Sequence, residues 1–212
     1  MPPPQPSGGR AAFSPCGHYR WWLARRWDPA LPRLLFIGLN PSAADGRRDD
    51  PTLRRLQGFA RSGGFGSLEL LNVFARVSAS PAALRRASDP VGPANDRWIR
   101  RRLAALMAAA PAGSAIALGW GNGGTWRGRD RQVQELLKPA ARELPLLCLG
   151  MTASGQPLHP LYLPAATAWQ PWQPWPAPGR CQSGMGAASC GSTPAPPPAA
   201  PWPAPPVATT CT

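Results

Sequence analysis

Four polar side chains follow stretches of apolar sequence that are typical of buried strands. Asn40, Asn72 and Asn122 come within three residues of the apolar runs LLFIG, LELL and AIALG, and His159 lies in the loop after LLCLG. In an open parallel α/β sheet, ligands bind in the crevice beyond the carboxyl ends of the strands. We therefore expect these four side chains to lie along one ligand-binding edge.

The first of these residues lies in a turn that suits the binding of water or of a carbonyl group. Gly38 permits close approach of the backbone, and Pro41, before Ser42, fixes the turn that carries Asn40. A carboxamide can hold a water molecule or a substrate carbonyl, but it is not a strong base. Asp45, Asp49 and Asp50 follow within reach of the same edge, and Asp45 is taken as a candidate catalytic carboxylate. The alternative is that Asn40 and Pro41 only form a turn, since Asn-Pro pairs often initiate turns.

Asn72 and His159 offer the chemistry of base recognition and proton transfer. A carboxamide both donates and accepts hydrogen bonds, which suits reading the Watson–Crick edge of a base. A histidine after the last strand can donate to a developing anion or act as a general acid or base. Each residue also has a structural interpretation, in which Asn72 ties down its own loop and His159 is a satisfied core histidine.

The charge of the chain favours a phosphate-bearing partner, a nucleic acid or a nucleotide. The net charge is +13, and Lys138 is the only lysine. A GC-rich genome explains the choice of arginine over lysine, but ten acidic residues are few to balance the charge. Arg76, and Arg127 and Arg129 in the Gly-rich loop after Asn122, are the candidate phosphate-binding residues, with solvated loop arginines as the alternative.

Several other classes of chemistry are poorly supported by the sequence. It contains no serine nucleophile elbow, no HExxH and no CxxC pair, and its five cysteines lack the spacing of a metal site or disulfide framework. We therefore expect neither a metal nor a cofactor. Because no apolar window approaches the length of a membrane span, we expect a cytoplasmic protein that does not contact a membrane.

The elements that position these residues alternate between strands and helices. The predicted buried strands cover 33–38, 67–73, 115–119 and 144–150, and the predicted helices cover 51–62, capped by Asp50, 94–110 and 130–142. A half-exposed strand at 19–27 is expected at or near an edge of the sheet. Strands alternating with helices predict an α/β fold, a three-layer sandwich with a central, mostly parallel sheet.

The composition divides the chain into three parts. Residues 1–12 are rich in Pro and Gly and are expected to be disordered, and residues 13–168 are expected to form a single α/β domain. Residues 169–212 form a Pro/Ala/Trp-rich tail that is also expected to be disordered. A Pro-rich recognition segment and a spurious extension of the reading frame are the alternatives for the tail.

Several segments, in order over residues 13–170, resemble the bacterial family known as domain of unknown function 1643. They are FSPCGHYRWWLARRW, FIGLNPSAADGRRDDPTLRR, LLNVFARVSASP, DPVGPANDRW and LGMTASGQPLHPLYLP. A more distant similarity is to the uracil-DNA glycosylase superfamily. Its motif G-I-N-P-G corresponds to residues 38–42 here, and its H-P-S motif corresponds to residues 159–161.

The second resemblance implies roles for individual residues. Asn40 would position or activate the attacking water, Asn72 would read the base, and His159 would stabilise the departing base anion. Phe59 would be the aromatic residue that stacks on the base. This chain departs from the two motifs at Ser42, in place of glycine, and at Leu161, in place of serine. In that superfamily the backbone at both positions contacts DNA phosphate.

Two main functions remain open on the sequence alone. The first is a nucleobase- or nucleotide-binding protein of uracil-DNA glycosylase-like fold that hydrolyses an N-glycosidic bond. The second is a non-catalytic nucleic-acid or nucleotide-binding protein on the same fold. A small-molecule hydrolase or transferase on this scaffold is a third hypothesis.

Overall fold

The computed structural model describes residues 9–109 and 111–173. The strands are β1 (Arg10–Phe13), β2 (Arg20–Arg26), β3 (Arg33–Gly38), β4 (Ser67–Asn72), β5 (Ala115–Gly119), β6 (Leu146–Cys148) and β7 (Gln170–Pro171). The helices are α1 (Pro51–Ser62), α2 (Pro81–Arg85), α3 (Asn95–Ala109) and α4 (Arg129–Leu137). Short 3-10 segments cover Asn122–Gly128, Ala140–Arg142 and Pro160–Tyr162.

The strands form one mixed seven-stranded sheet in the order β1-β2-β4-β3-β5-β6-β7. The four central strands, β4, β3, β5 and β6, pair in parallel and correspond to the four predicted buried strands. Both flanks are antiparallel, because β2 runs against β4 and β1, and β7 runs against β6. The α/β class is confirmed, whereas the prediction of a mostly parallel sheet is not.

Strand β2 lies inside the sheet and not at its edge. It pairs with β1 on one side and β4 on the other, and six of its seven residues are buried. The predicted position near an edge is confirmed, since β2 is next to the edge strand β1, but the prediction of a half-exposed strand was wrong. The face that carries Arg20 and Arg26 was expected to meet solvent, but Arg20 is buried and its guanidinium donates to the Ala44 carbonyl.

Two hydrophobic clusters lie on opposite faces of the sheet, as the alternation of side chains along β3 requires. Leu35 and Ile37 join a cluster that includes residues of α3 and α4. Leu34 and Phe36 join a second cluster that includes residues of α1. The sheet is thus covered by helices on both faces.

The predicted helices are present, with one change at a carboxyl end. Asp50 caps α1 through a hydrogen bond from the Leu53 N–H to its Oδ1 at 2.7 Å. Helix α4 ends at Leu137, and the remainder of the predicted 130–142 helix contains a separate 3-10 turn. Pro139 explains this break, since proline has no N–H to donate in a continuing helix. No helix among the described residues has the length and apolar character to span a bilayer.

The domain extends beyond the predicted limits of 13 and 168. Strand β1 begins at Arg10, inside the segment expected to be disordered. Trp172 is buried with its ring 5.9 Å from that of Trp120, and Trp169 Nε1 donates to the Phe59 carbonyl at 3.0 Å. These tryptophans supply apolar area to the core although their sequence context is Pro-rich. The rest of the predicted disordered segments, 1–8 and 174–212, lies outside the described residues.

Candidate functional site at the strand ends

A cavity of about 400 Å³ opens beyond the carboxyl ends of β3, β4 and β5. Its volume lies in the range of about 300–1,000 Å³ that small-molecule sites occupy. Six residues of the predicted site line it: Gly38, Asn40, Ser42, Asn72, Asn122 and His159. The structure therefore brings together the side chains that the sequence placed at separate strand ends.

Asn40 presents an acceptor to this cavity. Its Nδ2 donates to the carbonyls of Pro41 at 2.9 Å and Ser78 at 3.0 Å. Both amide protons are used in these bonds, and no donor among the described residues reaches Oδ1. A water molecule held there would donate a hydrogen bond to Asn40 Oδ1, which leaves a lone pair of the water oxygen free to bond to carbon.

Asn72 presents the opposite polarity. Its Oδ1 accepts a hydrogen bond from Nη2 of Arg20 at 3.3 Å, and its main-chain carbonyl accepts one from Asn95 at 3.0 Å. Nδ2 lies beside Gly38, where an added Cβ atom would come within 3.0 Å of it. The absence of a side chain at Gly38 thus gives the amide nitrogen room at the cavity.

Arg20 also lines the cavity, although nothing in its sequence pattern predicts this. It is 2% exposed and donates from Nη1 to the Ala44 carbonyl at 2.8 Å. Burial lowers the pKa of Arg20 to about 10, and the negative charge of Asp50 partly opposes that shift. Arg20 therefore keeps its positive charge at neutral pH.

His159 is neutral at neutral pH and carries its proton on Nε2. Nδ1 accepts a hydrogen bond from the Leu161 N–H at 3.3 Å, so the proton of the neutral ring must lie on the other nitrogen. Burial lowers the pKa of His159 below its usual value, with Asp50 acting weakly in the opposite direction. The imidazole is thus a hydrogen-bond donor without a formal charge.

Asp50 combines a structural role with a position on the cavity wall. Oδ1 caps α1, while Oδ2 accepts hydrogen bonds from the Ser42 hydroxyl and, at 3.3 Å, from the Ala44 N–H. Among the residues that the structure describes, Asp50 is the only one with a carboxylate that lines the cavity. The sequence signal was the pair Asp49-Asp50 before Pro51, which also marks an ordinary helix start.

Three residues of the predicted site do not line the cavity. Asp45 accepts hydrogen bonds from the Arg47 and Arg48 N–H groups, each at 2.7 Å, and these bonds lower its pKa. Phe59 is buried against Trp169 and is not among the residues that line the cavity. Pro41 is buried and contributes its carbonyl to the turn.

The predicted phosphate-binding arginines also lie away from the cavity wall. Arg129 is buried in an ion pair with Asp96 and donates to the Val73 carbonyl at 2.7 Å. The guanidinium of Arg76 lies 5.6 Å from the Tyr19 ring centre. Arg127 is exposed, with its guanidinium 4.7 Å from the ring centre of Trp126.

Arginines do lie at the mouth of the cavity, on the first turn of α1. Arg54 and Arg55 line a shallow cleft with Leu161 and Tyr162, two residues that also line the main cavity. Tyr162 is 89% exposed. The segment RDDPTLRR contains these two arginines, but a pair of arginines on a helix does not by itself indicate a binding site.

Asn122 lies at the rim and holds the loop after β6. Its Oδ1 accepts hydrogen bonds from the Thr152 and Ser154 hydroxyls, both at 2.7 Å. Its amide group therefore links two loops that border the cavity. The described residues contain no cluster of three or more His, Cys, Asp and Glu side chains arranged to hold a metal ion.

The fold and the site define an α/β protein with a polar pocket at the ends of its parallel strands. Its sequence matches the family described as protein of unknown function (DUF1643) over residues 20–161, and the chain belongs to that family. No curated protein and no solved structure matches the chain. The matched span contains each of the cavity residues discussed above except Tyr162.

Proposed function

We propose that the pocket binds a nucleobase, free or within a nucleotide or nucleic acid, and that the protein hydrolyses its N-glycosidic bond. The observation that carries the proposal is the convergence of Asn40, Asn72 and His159 on one cavity. The helices on both faces of the sheet support a three-layer fold of the uracil-DNA glycosylase kind.

The proposed reaction needs little base catalysis from the protein. The C1′–N bond breaks, its electron pair leaves with the base, and the oxygen of water bonds to C1′. The proton that this water loses is taken up by the departing base. Asn40 Oδ1 accepts a hydrogen bond from that water, while Nε2–H of His159 donates to the departing base anion. The charge of Asp50 on the cavity wall stabilises the positive charge that develops on the sugar.

A polynucleotide fits the mouth of the pocket better than a free base alone. The cleft of Arg54 and Arg55 offers positive charge for phosphate, and exposed Tyr162 offers a ring for stacking. Basic grooves combined with exposed aromatic rings are typical of single-stranded nucleic-acid binding. Both features border the cavity itself.

Binding without chemistry is the second candidate function. One observation favours it: both oxygens of Asp50 already accept hydrogen bonds from the protein. A carboxylate so occupied is a weak proton acceptor for an attacking water. The pocket would then recognise a base and leave the bond intact.

Base release separates the two candidates. The wild-type protein is incubated with oligonucleotides containing uracil, hypoxanthine or an alkylated base, and with the matching nucleosides, and abasic sites and free base are quantified. We expect release that Asn40→Ala slows by at least about tenfold with little change in binding. Asp45→Asn is the matched control, because Asp45 lies outside the cavity. Binding without release from any of these substrates would favour the non-catalytic function.

A further inference from the structure

A buried arginine determines which end of the Asn72 carboxamide faces the pocket. Nη2 of Arg20 donates to Asn72 Oδ1 at 3.3 Å. A guanidinium carries donors and no acceptor, so the amide oxygen must face Arg20 and the amide nitrogen must face away. With a pKa of about 10, Arg20 stays protonated at neutral pH and preserves this orientation.

Arg20 is itself held in place by its surroundings. The residue is 2% exposed, and Nη1 donates to the Ala44 carbonyl at 2.8 Å. Its Nε is buried with no hydrogen-bond partner among the described residues. Turning the Asn72 amide over would place an NH₂ group against these donors, at a cost of roughly 5- to 150-fold in the orientation equilibrium.

Gly38 leaves the amide nitrogen accessible from the cavity. Gly38 and Asn72 are register partners in the parallel pairing of β3 with β4. A Cβ atom at position 38 would lie 3.0 Å from Asn72 Nδ2 and 3.3 Å from the ring of Phe36. The strand end is therefore shaped to expose a donor.

His159 adds a second donor to the same cavity. Its Nδ1 is occupied by the Leu161 N–H, which leaves Nε2–H for a ligand. A ring that meets Asn72 and His159 with carbonyl oxygens pairs with both. A ring that meets them with amino groups sets donor against donor and leaves the buried groups unpaired, which is strongly disfavoured.

We propose that Arg20 is a positioning residue that sets ligand specificity, so that the pocket takes heterocycles with oxo groups in preference to their amino counterparts. The proposal rests on the proposed function only in taking the ligand to be a nucleobase. Arg20 acts through Asn72, because its Nη groups already donate to the Ala44 carbonyl and to Asn72 Oδ1.

Matched pairs of free bases test this role. Uracil and cytosine differ by an oxo and an amino group at one ring position, as do hypoxanthine and adenine. Dissociation constants are measured by calorimetry for all four bases. We expect the wild-type protein to bind the oxo member of at least one pair about tenfold more tightly or better, which corresponds to about 1.4 kcal/mol.

Variants of Arg20 connect the preference to this residue. In Arg20→Met the amide of Asn72 is free to turn over, so the oxo-to-amino ratio should fall to within about threefold of one. Arg20→Lys keeps a group that only donates and should retain the preference. Arg25→Met is the matched control, because Arg25 is a buried arginine of the same strand that pairs with Asp49 and not with Asn72.

Each outcome has a distinct meaning. Equal binding of oxo and amino bases by the wild-type protein would overturn the role of Arg20 and leave the nucleobase pocket standing. A preference that persists unchanged in folded Arg20→Met would also overturn it. Failure of all four bases to bind, both as free bases and within short oligonucleotides, would overturn both this inference and the proposed function. Should Arg20→Met not fold, Asn72→Asp provides a second test, since a carboxylate only accepts and should reverse the preference.

Discussion

Replacing His159 is expected to slow base release in a manner that depends on pH. The ring donates from Nε2 because Nδ1 accepts the Leu161 N–H. A hydrogen bond to a charged group contributes about 1.5–3 kcal/mol, and loss of one oxyanion donor costs about 10²–10³-fold in rate. His159→Ala should therefore slow the release step about 100-fold, or about 2.7 kcal/mol in activation free energy.

The lowered pKa of His159 fixes the direction of the pH effect. Burial keeps the imidazole neutral to a pH below its usual pKa of 6.5. Only the neutral ring can donate from Nε2 while Nδ1 accepts the Leu161 N–H. The rate of base release should therefore be level from about pH 8 to 6.5 and fall only below that. Single-turnover release is measured from about pH 5 to 8 for the wild-type protein, His159→Gln and His159→Ala. His159→Gln, which keeps an N–H donor, should be slowed less than His159→Ala.

The same shift affects stability. A histidine whose pKa is lowered on folding contributes stability that is complete above the unfolded pKa of about 6.5 and declines as the pH falls below it. His159→Gln should therefore lose less stability than the wild-type protein on acidification. A release rate that rises as the pH falls from about 8 to 6, or a His159→Ala protein as fast as the wild type, would refute this account of the site.

Two further predictions concern the tail boundary and the cleft at the mouth. Trp172→Ala should lower the free energy of unfolding, measured in urea titrations, by about 3–5 kcal/mol, because Trp172 is buried against Trp120. Deleting residues 176–212 should leave that free energy nearly unchanged. The reverse result would contradict a domain boundary after Trp172. The double variant Arg54→Gln/Arg55→Gln should weaken oligonucleotide binding and reduce the slope of log Kd against log salt concentration by about one for each phosphate that the cleft no longer neutralises. Arg127→Gln, outside this cleft, is the control. Equal slopes for the double variant and the wild-type protein would exclude the cleft as the phosphate site.

The sequence predicted those parts of the site that depend on local pattern. Apolar runs located the four central strands, and the polar residues after them followed from the rule for parallel sheets. The pair Asp50-Pro51 predicted the start of α1, because the cap of a helix depends only on residues within one turn of the chain. Asn40, Asn72 and His159 therefore meet as expected.

The missed and misplaced residues depend on contacts between distant segments. Arg20 is satisfied by carbonyl and amide oxygens of residues 44 and 72, and nothing in the alternation along β2 reveals such partners. Arg129 was predicted to bind phosphate, but its buried guanidinium donates to the Val73 carbonyl and pairs with Asp96. Phe59 is an apolar residue at helical spacing. That pattern predicts that the ring is buried, but not whether it reaches the ligand cavity.

The central claim is that one pocket holds a nucleobase between Asn40, Asn72 and His159. Crystals of the protein soaked with uracil or hypoxanthine test it most directly. We expect a ring in the strand-end cavity, with a carbonyl oxygen within about 3.2 Å of Asn72 Nδ2 and another polar atom of the base within hydrogen-bond distance of His159 Nε2. A ring bound elsewhere on the protein, or an empty cavity at saturating base, would contradict it.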